Sequence, residues 1–243
     1  MNALTQTVRE IALEQPHSIC VFERFGIDYC CGGRKPLAEA CAASNLSVDE
    51  VVAALDFAAD STAPLPANWS QASLQQLIEH IVATHHTYAK RELPRLEELA
   101  QKVVNRHGDT QSHLPAIQKA LAQLDEELKH HLAKEENILF PYIAGLEAAL
   151  DSGNALPDAC FGTVANPIAM MTREHDAAGL LLAEIQRLSG SFTTPVGACP
   201  TYHAFYNGLK EFQQDLHQHI HLESNILFPR AILQEAAAMS VAT

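Results

Sequence analysis

The sequence predicts an all-α protein, in which a small helical N-terminal domain precedes an antiparallel four-helix bundle. Apolar residues recur every three or four positions, and no segment shows the convincing period-two alternation of a strand. Breaks rich in Gly, Pro, Ser, Asn and Asp divide the later part of the chain into four helical stretches. Helices of about thirty residues joined by such breaks are typical of a four-helix bundle.

The N-terminal domain is predicted at residues 1–60, where Ser47 and Glu50 have the spacing of a capping box and predict the start of a helix. A linker is predicted at 61–68, because this stretch reads Ser-Thr-Ala-Pro-Leu-Pro-Ala-Asn. The bundle is therefore predicted at 69–243.

Local signals also mark the bundle helices. A second capping-box pattern, Ser73 with Gln76, predicts the start of the first helix. The breaks between helices lie at residues 105–115, 151–167 and 189–200. Pro94, Pro141 and Pro229 fall within or near the ends of the helical patterns, so we expect kinks or terminations there.

An eleven-residue sequence motif, which we call the repeated phrase, occurs twice in the bundle in similar form. It reads His-Leu-Ala-Lys-Glu-Glu-Asn-Ile-Leu-Phe-Pro at 131–141 and His-Ile-His-Leu-Glu-Ser-Asn-Ile-Leu-Phe-Pro at 219–229. Residues four apart lie on one face of an α-helix, so each copy directs an imidazole and a carboxylate the same way. Both groups are ligands for iron or manganese. The repeat therefore predicts a dinuclear metal site.

The histidine and glutamate of each copy continue the apolar stripe of their helix. The first stripe is Ile117, Leu121, Leu124, Leu128, His131, Glu135 and Ile138. The second is Phe205, Leu209, Phe212, Leu216, His219, Glu223 and Ile226. A single copy would suggest only a hydrogen-bonded or solvated pair. Two copies on apolar stripes favour metal binding, because buried imidazoles and carboxylates are costly unless paired or bound to metal.

The two remaining helices each offer one inward histidine. His175 lies on the apolar stripe of the third helix. In the first helix the stripe through His86 stays apolar, whereas that through His85 runs into charged residues. His86 precedes His131 by 45 residues and His175 precedes His219 by 44, which indicates a duplicated helical hairpin.

The predicted metal ligands are therefore four histidines and two glutamates. They are His86, His131, Glu135, His175, His219 and Glu223. We expect each glutamate to bridge two ions and each ion to take two histidines. Bridging carboxylates with open positions favour iron or manganese over zinc, which prefers four ligands. A ferritin-like site is disfavoured, because its Glu-x-x-His signature has the opposite order and a shorter gap.

Other polar residues near the stripes are not counted as ligands. His217 and His221 lie off the apolar stripe and are expected at the surface. Glu127 and Glu174 lie one position off a ligand stripe, where they could line a path for iron or protons or could equally be solvated.

The adjacent thiols Cys30 and Cys31 are the second chemical signal. Adjacent cysteines can form only a strained ring disulfide, so two thiols are expected, and Gly32 with Gly33 predicts a turn beside them. Thiol redox chemistry, iron handling and capture of a nitrosyl group are the predicted roles. The alternative is that one cysteine is a small core residue.

The repeated phrase, together with Arg-Glu-His-Asp around His175, resembles the hemerythrin-like di-iron fold. Asp28-Tyr-Cys-Cys-Gly-Gly33 resembles the short domain that precedes this fold in the family of iron–sulfur cluster repair di-iron proteins. The resemblance implies repair of clusters damaged by nitric oxide or oxidants. It also implies two iron ions, bridged by an oxo group and both glutamates, on the six predicted ligands. Oxygen-carrying hemerythrins use an additional histidine that is not evident here, so that function is disfavoured.

Three functions remain open from the sequence. The favoured one is iron donation to damaged iron–sulfur proteins, which would be the protein's clients. The second is a di-iron enzyme that reduces nitric oxide or peroxide with Cys30 and Cys31 as the electron source. The third is a module that senses oxygen or nitric oxide. A homodimer is compatible with all three.

Composition excludes other classes of function. The net charge of −13 argues against nucleic acid and anionic membranes as partners. The sequence contains no run of about eighteen apolar residues, so it predicts no membrane span. The first residues lack the pattern of a signal peptide, so we expect a cytoplasmic protein whose six cysteines stay reduced.

Overall fold

The computed structural model describes residues 5–30, 32–59 and 68–241. The described residues form helices and no strand, which confirms the predicted all-α class. No helix among them is long and apolar enough to cross a membrane. Cys31 and the predicted linker, apart from Asn68, lie outside the described residues.

The chain divides into two compact units. The first comprises Met1–Ser73 with His217–Pro229, and the second comprises Leu74–Leu216 with Arg230–Thr243. Four short helices belong to the first unit: α1 (Val8–Glu14), α2 (Ser18–Phe25), α3 (Leu37–Ala43) and α4 (Val48–Ala59). Helix α4 begins where the Ser47 capping pattern predicts, and Ser47 Oγ accepts a hydrogen bond from the Glu50 N–H at 3.5 Å.

Apolar side chains of these four helices and their loops form one core. Its fully or nearly fully buried members include Val8, Ile11, Val21, Phe22, Ile27, Tyr29, Leu37, Val51 and Leu55. Backbone hydrogen bonds from Val8 N to Lys35 O (3.0 Å) and from Arg9 N to Gly33 O (2.7 Å) fix the loop before α3 to the start of α1. The loop that carries Cys30 is therefore anchored at its end.

Four long helices follow, and three of them contain a π-helical turn. Helix α5 (74–107) consists of Leu74–Ile81, the π turn Val82–His86 and Thr87–His107. Helix α6 (114–152) consists of Leu114–Lys134, the π turn Glu135–Leu139 and Phe140–Ser152. Helix α7 is Ala165–Leu188. Helix α8 (200–241) consists of Pro200–His221, the π turn Leu222–Leu227 and Phe228–Val241.

Neighbouring helices of the bundle run antiparallel. Helix α6 packs against both α5 and α7, and the first segment of α5 contacts the last segment of α6. Helix α8 approaches α5 closely at Gly208, where a Cβ atom would lie 2.8 Å from Leu96 Cδ2. Further along both helices, the rings of Tyr88 and Phe212 stack with their centroids 6.2 Å apart. This close packing explains the glycine, since a larger residue would separate the two helices.

The first turn of α5 is capped from another helix. The carboxylate of Glu147 on α6 accepts hydrogen bonds from Leu74 N (2.7 Å) and Gln75 N (2.9 Å). These N–H groups have no partner within their own helix, so an acceptor at this point stabilises the helix start. The helix begins beside the predicted Ser73 pattern, but a residue distant in sequence satisfies these two donors.

The expected terminations at proline do not occur. Pro94 lies inside α5, and Pro141 and Pro229 each follow a π turn in a helix that continues. Proline lacks an N–H group and crowds the carbonyl four residues before it. At Pro141 and Pro229 the preceding π turn, in which hydrogen bonds reach five residues back, accommodates this loss.

Candidate metal centre

Helices α6 and α7 bring three predicted ligands together. Glu135 Oε1 lies 3.2 Å from Nε2 of His131, one helical turn earlier. His175 on α7 places its Nε2 3.1 Å from Nε2 of His131. The three residues are at most 3% exposed. Their ligand atoms thus converge in a region from which water is largely excluded.

Helix α5 places His86 beside Glu135. Its Nε2 lies 3.5 Å from Oε2 of Glu135, and its ring stacks on Phe140 with centroids 5.5 Å apart. The neighbouring His85 is buried too, at 4% exposure, so the expectation of one inward histidine in this helix is wrong. His85 places Nδ1 2.9 Å from Oδ1 of Asp215. Of the two adjacent histidines, His86 is therefore the one beside Glu135.

The last pair of predicted ligands lies one turn apart on α8. Nε2 of His219 is 2.9 Å from Oε1 of Glu223. His219 is 1% exposed and Glu223 is fully buried. This is the same His-x-x-x-Glu contact as in the first copy of the phrase.

All six predicted ligands fall into two overlapping groups of four. One group is His86, Glu135, His219 and Glu223, and the other is His131, Glu135, His175 and Glu223. Within each group, one ligand atom per residue lies within 4.8 Å of all the others. Glu135 and Glu223 belong to both groups, which is the arrangement expected of carboxylates that bridge two ions.

The π turns coincide with three of these residues. His86 ends the turn in α5, Glu135 begins the turn in α6, and Glu223 lies in the turn of α8. A π turn adds one residue to a helical turn and so changes the angular register of the side chains beside it. Such turns are frequent at functional sites.

Two carboxylates outside the predicted set orient the histidines. Glu136 Oε1 accepts a hydrogen bond from Nδ1 of His86 at 2.7 Å. Burial raises the pKa of Glu136, but hydrogen bonds from Lys90 and His86 outweigh it and hold the pKa below its usual value. The anionic carboxylate keeps the proton on Nδ1, so Nε2 presents its lone pair toward Glu135.

Glu174 orients His131 in the same way as Glu136 orients His86. Its Oε2 accepts from Nδ1 of His131 at 2.8 Å, and Lys134 pairs with its other oxygen. Burial raises the pKa of Glu174, but the hydrogen bonds from Lys134 and His131 outweigh it and lower the pKa overall. Histidines that ligate metals usually donate their second N–H to a carboxylate in this way.

The donor atoms at the centre fit a divalent cation. Among the described residues, no donor makes a hydrogen bond to either buried oxygen of Glu135. With the Nδ1 protons of His86 and His131 held by Glu136 and Glu174, the converging Nε2 atoms present lone pairs as well. Buried acceptors that face one another are costly unless a cation lies between them. Imidazole and carboxylate suit iron, manganese or zinc.

The second histidine pair of α8, His217 and His221, is less exposed than its position off the apolar stripe predicts. The expectation that His221 lies at the surface is wrong, because the side chain is only 3% exposed. Its ring lies edge-to-face with Tyr29 at 5.5 Å, and Nδ1 is 2.9 Å from Nδ2 of Asn225. Burial is the main cause that lowers the pKa of His221 to about 4, so the ring is neutral. His217 is partly covered and also faces Tyr29, at 6.2 Å.

The thiol predicted to be functional at Cys30 is buried, at 6% exposure. Its Sγ donates to Oδ1 of Asp28 at 3.2 Å, and the N–H groups of Cys30 and Gly32 also donate to that carboxylate (2.9 and 2.8 Å). The side chain of Asp28 thereby orders the turn. Cys31 is not described, and the roles of both cysteines stay predictions.

Two family models match the chain, and together they cover most of it. The hemerythrin HHE cation binding domain matches residues 77–231. A domain of unknown function, DUF542 (ScdA_N), matches residues 4–59.

The chain is also similar to curated proteins over nearly its whole length. It is 39% identical over 230 residues to the iron-sulfur cluster repair protein YtfE of Escherichia coli O81 (strain ED1a). The identity is the same for proteins of that name from Escherichia coli O1:K1 and Escherichia fergusonii. Each alignment covers 95% of this chain and 98% of the relative.

Proposed function

This chain belongs to the hemerythrin HHE cation-binding family and to the family of the iron–sulfur cluster repair proteins YtfE, and from this membership we propose that it repairs damaged iron–sulfur clusters. Its bundle would hold two iron ions and supply iron to client proteins. The clients would be iron–sulfur proteins whose clusters nitric oxide or oxidants have damaged.

One observation carries the proposal: the two groups of four ligands share Glu135 and Glu223. Each group offers two imidazoles and two carboxylates, so each ion would have four protein ligands. Four ligands leave positions open on a metal that prefers six, whereas they complete the coordination of zinc. Open positions favour exchange of the ion, as donation requires.

Two carboxylates beside the predicted ligands would help the bundle to retain iron until the iron is transferred. Glu136 and Glu174 hold the rings of His86 and His131 with Nε2 ready to bind, so the site pays little to organise its ligands. Bound iron would supply an exchangeable, redox-active ion at this place. For Cys30 and Cys31 we propose a role in receiving iron, which requires the buried thiol of Cys30 to become exposed.

The test is transfer of iron to a client. A cluster enzyme inactivated by nitric oxide is incubated with the iron-loaded protein, while a chelator captures free ferrous iron. We expect enzyme activity to return together with loss of iron from the protein. The matched control is the Glu135→Ala, Glu223→Ala double variant, which should carry little iron and restore nothing.

A second control separates the buried acids from acidic residues in general. Glu184→Ala changes a half-exposed glutamate of α7 that pairs with Arg187, and it should leave repair unchanged. Recovery of the enzyme with the double variant, or no recovery with a fully loaded protein, would contradict the proposed donation.

A further inference from the structure

The two copies of the repeated phrase share an Asn-Ile pair that has different surroundings in each. In the first copy Asn137 is exposed and donates to its own helix, at the carbonyl of Ala133 (2.6 Å), and Ile138 is 50% exposed. In the second copy Asn225 is 6% and Ile226 is 7% exposed. The duplicated sequence therefore meets a covering segment at only one of its two copies.

The contacts of Asn225 show what covers it. Its Nδ2 donates to the backbone carbonyl of Tyr29 at 3.2 Å and lies 2.9 Å from the acceptor Nδ1 of His221. Its own backbone carbonyl accepts from Nη2 of Arg9 at 3.5 Å. Tyr29 is the residue before Cys30. Asn225 thus holds the backbone immediately beside the thiol.

The loop that carries the Tyr29 carbonyl is held by further contacts. We call Asp28–Cys30 and Gly32–Gly33 the thiol loop. The hydroxyl of Tyr29 donates to Glu23 (3.0 Å), which also accepts from Gln218 (2.7 Å). At Gly33 a Cβ atom would lie 2.6 Å from the Tyr29 carbonyl oxygen. The glycine therefore allows the loop to close around the carbonyl that Asn225 binds.

Asn225 also lies in the turn that carries a predicted metal ligand. It follows Glu223 by two residues, and both belong to the π turn Leu222–Leu227. A change in the backbone of this turn moves both side chains. The same short segment consequently determines where the Glu223 carboxylate lies and whether the thiol loop is held.

We propose that Asn225 is a positioning residue that links opening of the thiol loop to how tightly Glu223 binds metal. With the Asn225–Tyr29 hydrogen bond formed, Cys30 is covered and Glu223 is held in place. When the bond opens, the thiol becomes accessible and the ligand loosens. The linkage is reciprocal, so metal binding closes the loop by the same factor by which the closed loop tightens metal binding. The inference rests on the proposed metal centre.

The first experiment measures alkylation of Cys30 in the full-length, metal-free protein, with the modified peptide quantified by mass spectrometry. Asn225→Ala should raise the alkylation rate of Cys30 roughly 2- to 10-fold, the factor that one hydrogen bond contributes. Asn137→Ala, the same change in the other copy, should leave the rate unchanged. Equal rates in all three proteins, or equal acceleration by both variants, would overturn the proposal.

A second variant separates the hydrogen bond from packing. Asn225→Asp keeps the shape of the side chain but removes the N–H donor to Tyr29. If Asn225 acts through this bond, Asn225→Asp alkylates as fast as Asn225→Ala. If the residue only fills space, Asn225→Asp behaves like the unchanged protein, and the proposal fails. Thermal unfolding followed by circular dichroism checks that each variant is folded.

The other half of the linkage is measured on iron-loaded protein, as the rate of iron release to a ferrous chelator. Asn225→Ala and Asn225→Asp should release iron faster by a similar factor, and Asn137→Ala should not. Unchanged release would overturn the link to Glu223. The alkylation experiment needs no metal, so a protein that binds no iron would refute the proposed function while the role of Asn225 in covering Cys30 would still be decided.

Discussion

Glu174 Oε2 lies 2.8 Å from Nδ1 of His131, and Nε2 of the same ring lies 3.1 Å from Nε2 of His175. Because the carboxylate keeps the proton on Nδ1, the nitrogen that faces His175 can bind a cation. Lys134 pairs with the second oxygen of Glu174 and helps to keep it anionic. Glu174, which directly precedes the predicted ligand His175, thereby determines which nitrogen of His131 is available to metal.

Replacing this carboxylate should weaken metal binding while the fold persists. We expect Glu174→Gln to lower the metal affinity by about 10- to 100-fold, because the amide no longer enforces the ring tautomer. Affinity is measured by competition with a chelator of known strength. Glu184→Gln on the same helix, at a half-exposed glutamate paired with Arg187, should leave the affinity unchanged. Equal affinities in both variants would contradict the role of Glu174.

The buried carboxylate of Glu135 should lower the free energy of unfolding of the metal-free protein. Its two buried oxygens have no hydrogen-bond donor among the described residues, and Glu135→Gln supplies an N–H donor to the nearby imidazoles. We expect the free energy of unfolding of the metal-free protein to rise by about 1–3 kcal/mol. Urea denaturation measures it. The variant should gain no stability from added iron, and a loss of metal-free stability would refute this explanation.

The close approach of α5 and α8 predicts that replacement by alanine changes the stability of the fold in opposite directions at two helical glycines. At Gly208 a new Cβ would lie 2.8 Å from the buried Leu96 side chain, so Gly208→Ala should destabilise the fold by about 1–3 kcal/mol. At Gly145 the nearest atom, on Pro157, is 3.6 Å away, so Gly145→Ala should stabilise the fold by about 0.5–1 kcal/mol. Denaturant unfolding compares the two. The same sign at both positions would contradict the packing described for Gly208.

The cap of α5 gives a further prediction about stability. Glu147→Ala removes the carboxylate that accepts from the N–H groups of Leu74 and Gln75, which should lower the free energy of unfolding by about 0.5–2 kcal/mol. Glu98→Ala on α5 removes only an exposed pair with Lys102 at 3.8 Å and should be nearly neutral. Hydrogen exchange should localise the loss to the first turn of α5. Uniform loss of protection along the helix would argue against a capping role.

Periodicity explains why much of the bundle was predictable. The apolar stripe is a local property, so it predicted that His86, His131 and Glu135 face inward, but it did not predict that His85 is buried as well. It could not give the π turns, which depend on how helices pack. Nor did it identify Glu136, which lies next to a ligand and has the ordinary appearance of a solvated helix glutamate.

His221 shows where local reasoning fails. On its own helix it lies off the apolar stripe, which predicts exposure, but Tyr29 covers it from nearly two hundred residues earlier in the sequence. The cap from Glu147 to Leu74 is likewise formed by residues far apart in sequence. Such contacts leave no periodic pattern, so only the folded chain reveals them.

The metal content of protein purified without added metal shows whether the six residues hold two metal ions. We expect about two irons per chain, falling sharply in Glu135→Ala and in Glu223→Ala, since each glutamate belongs to both groups. Glu184→Ala should keep both irons. A single zinc, or a folded protein without metal that takes up none when iron is supplied, would show that these six residues do not form a two-iron centre.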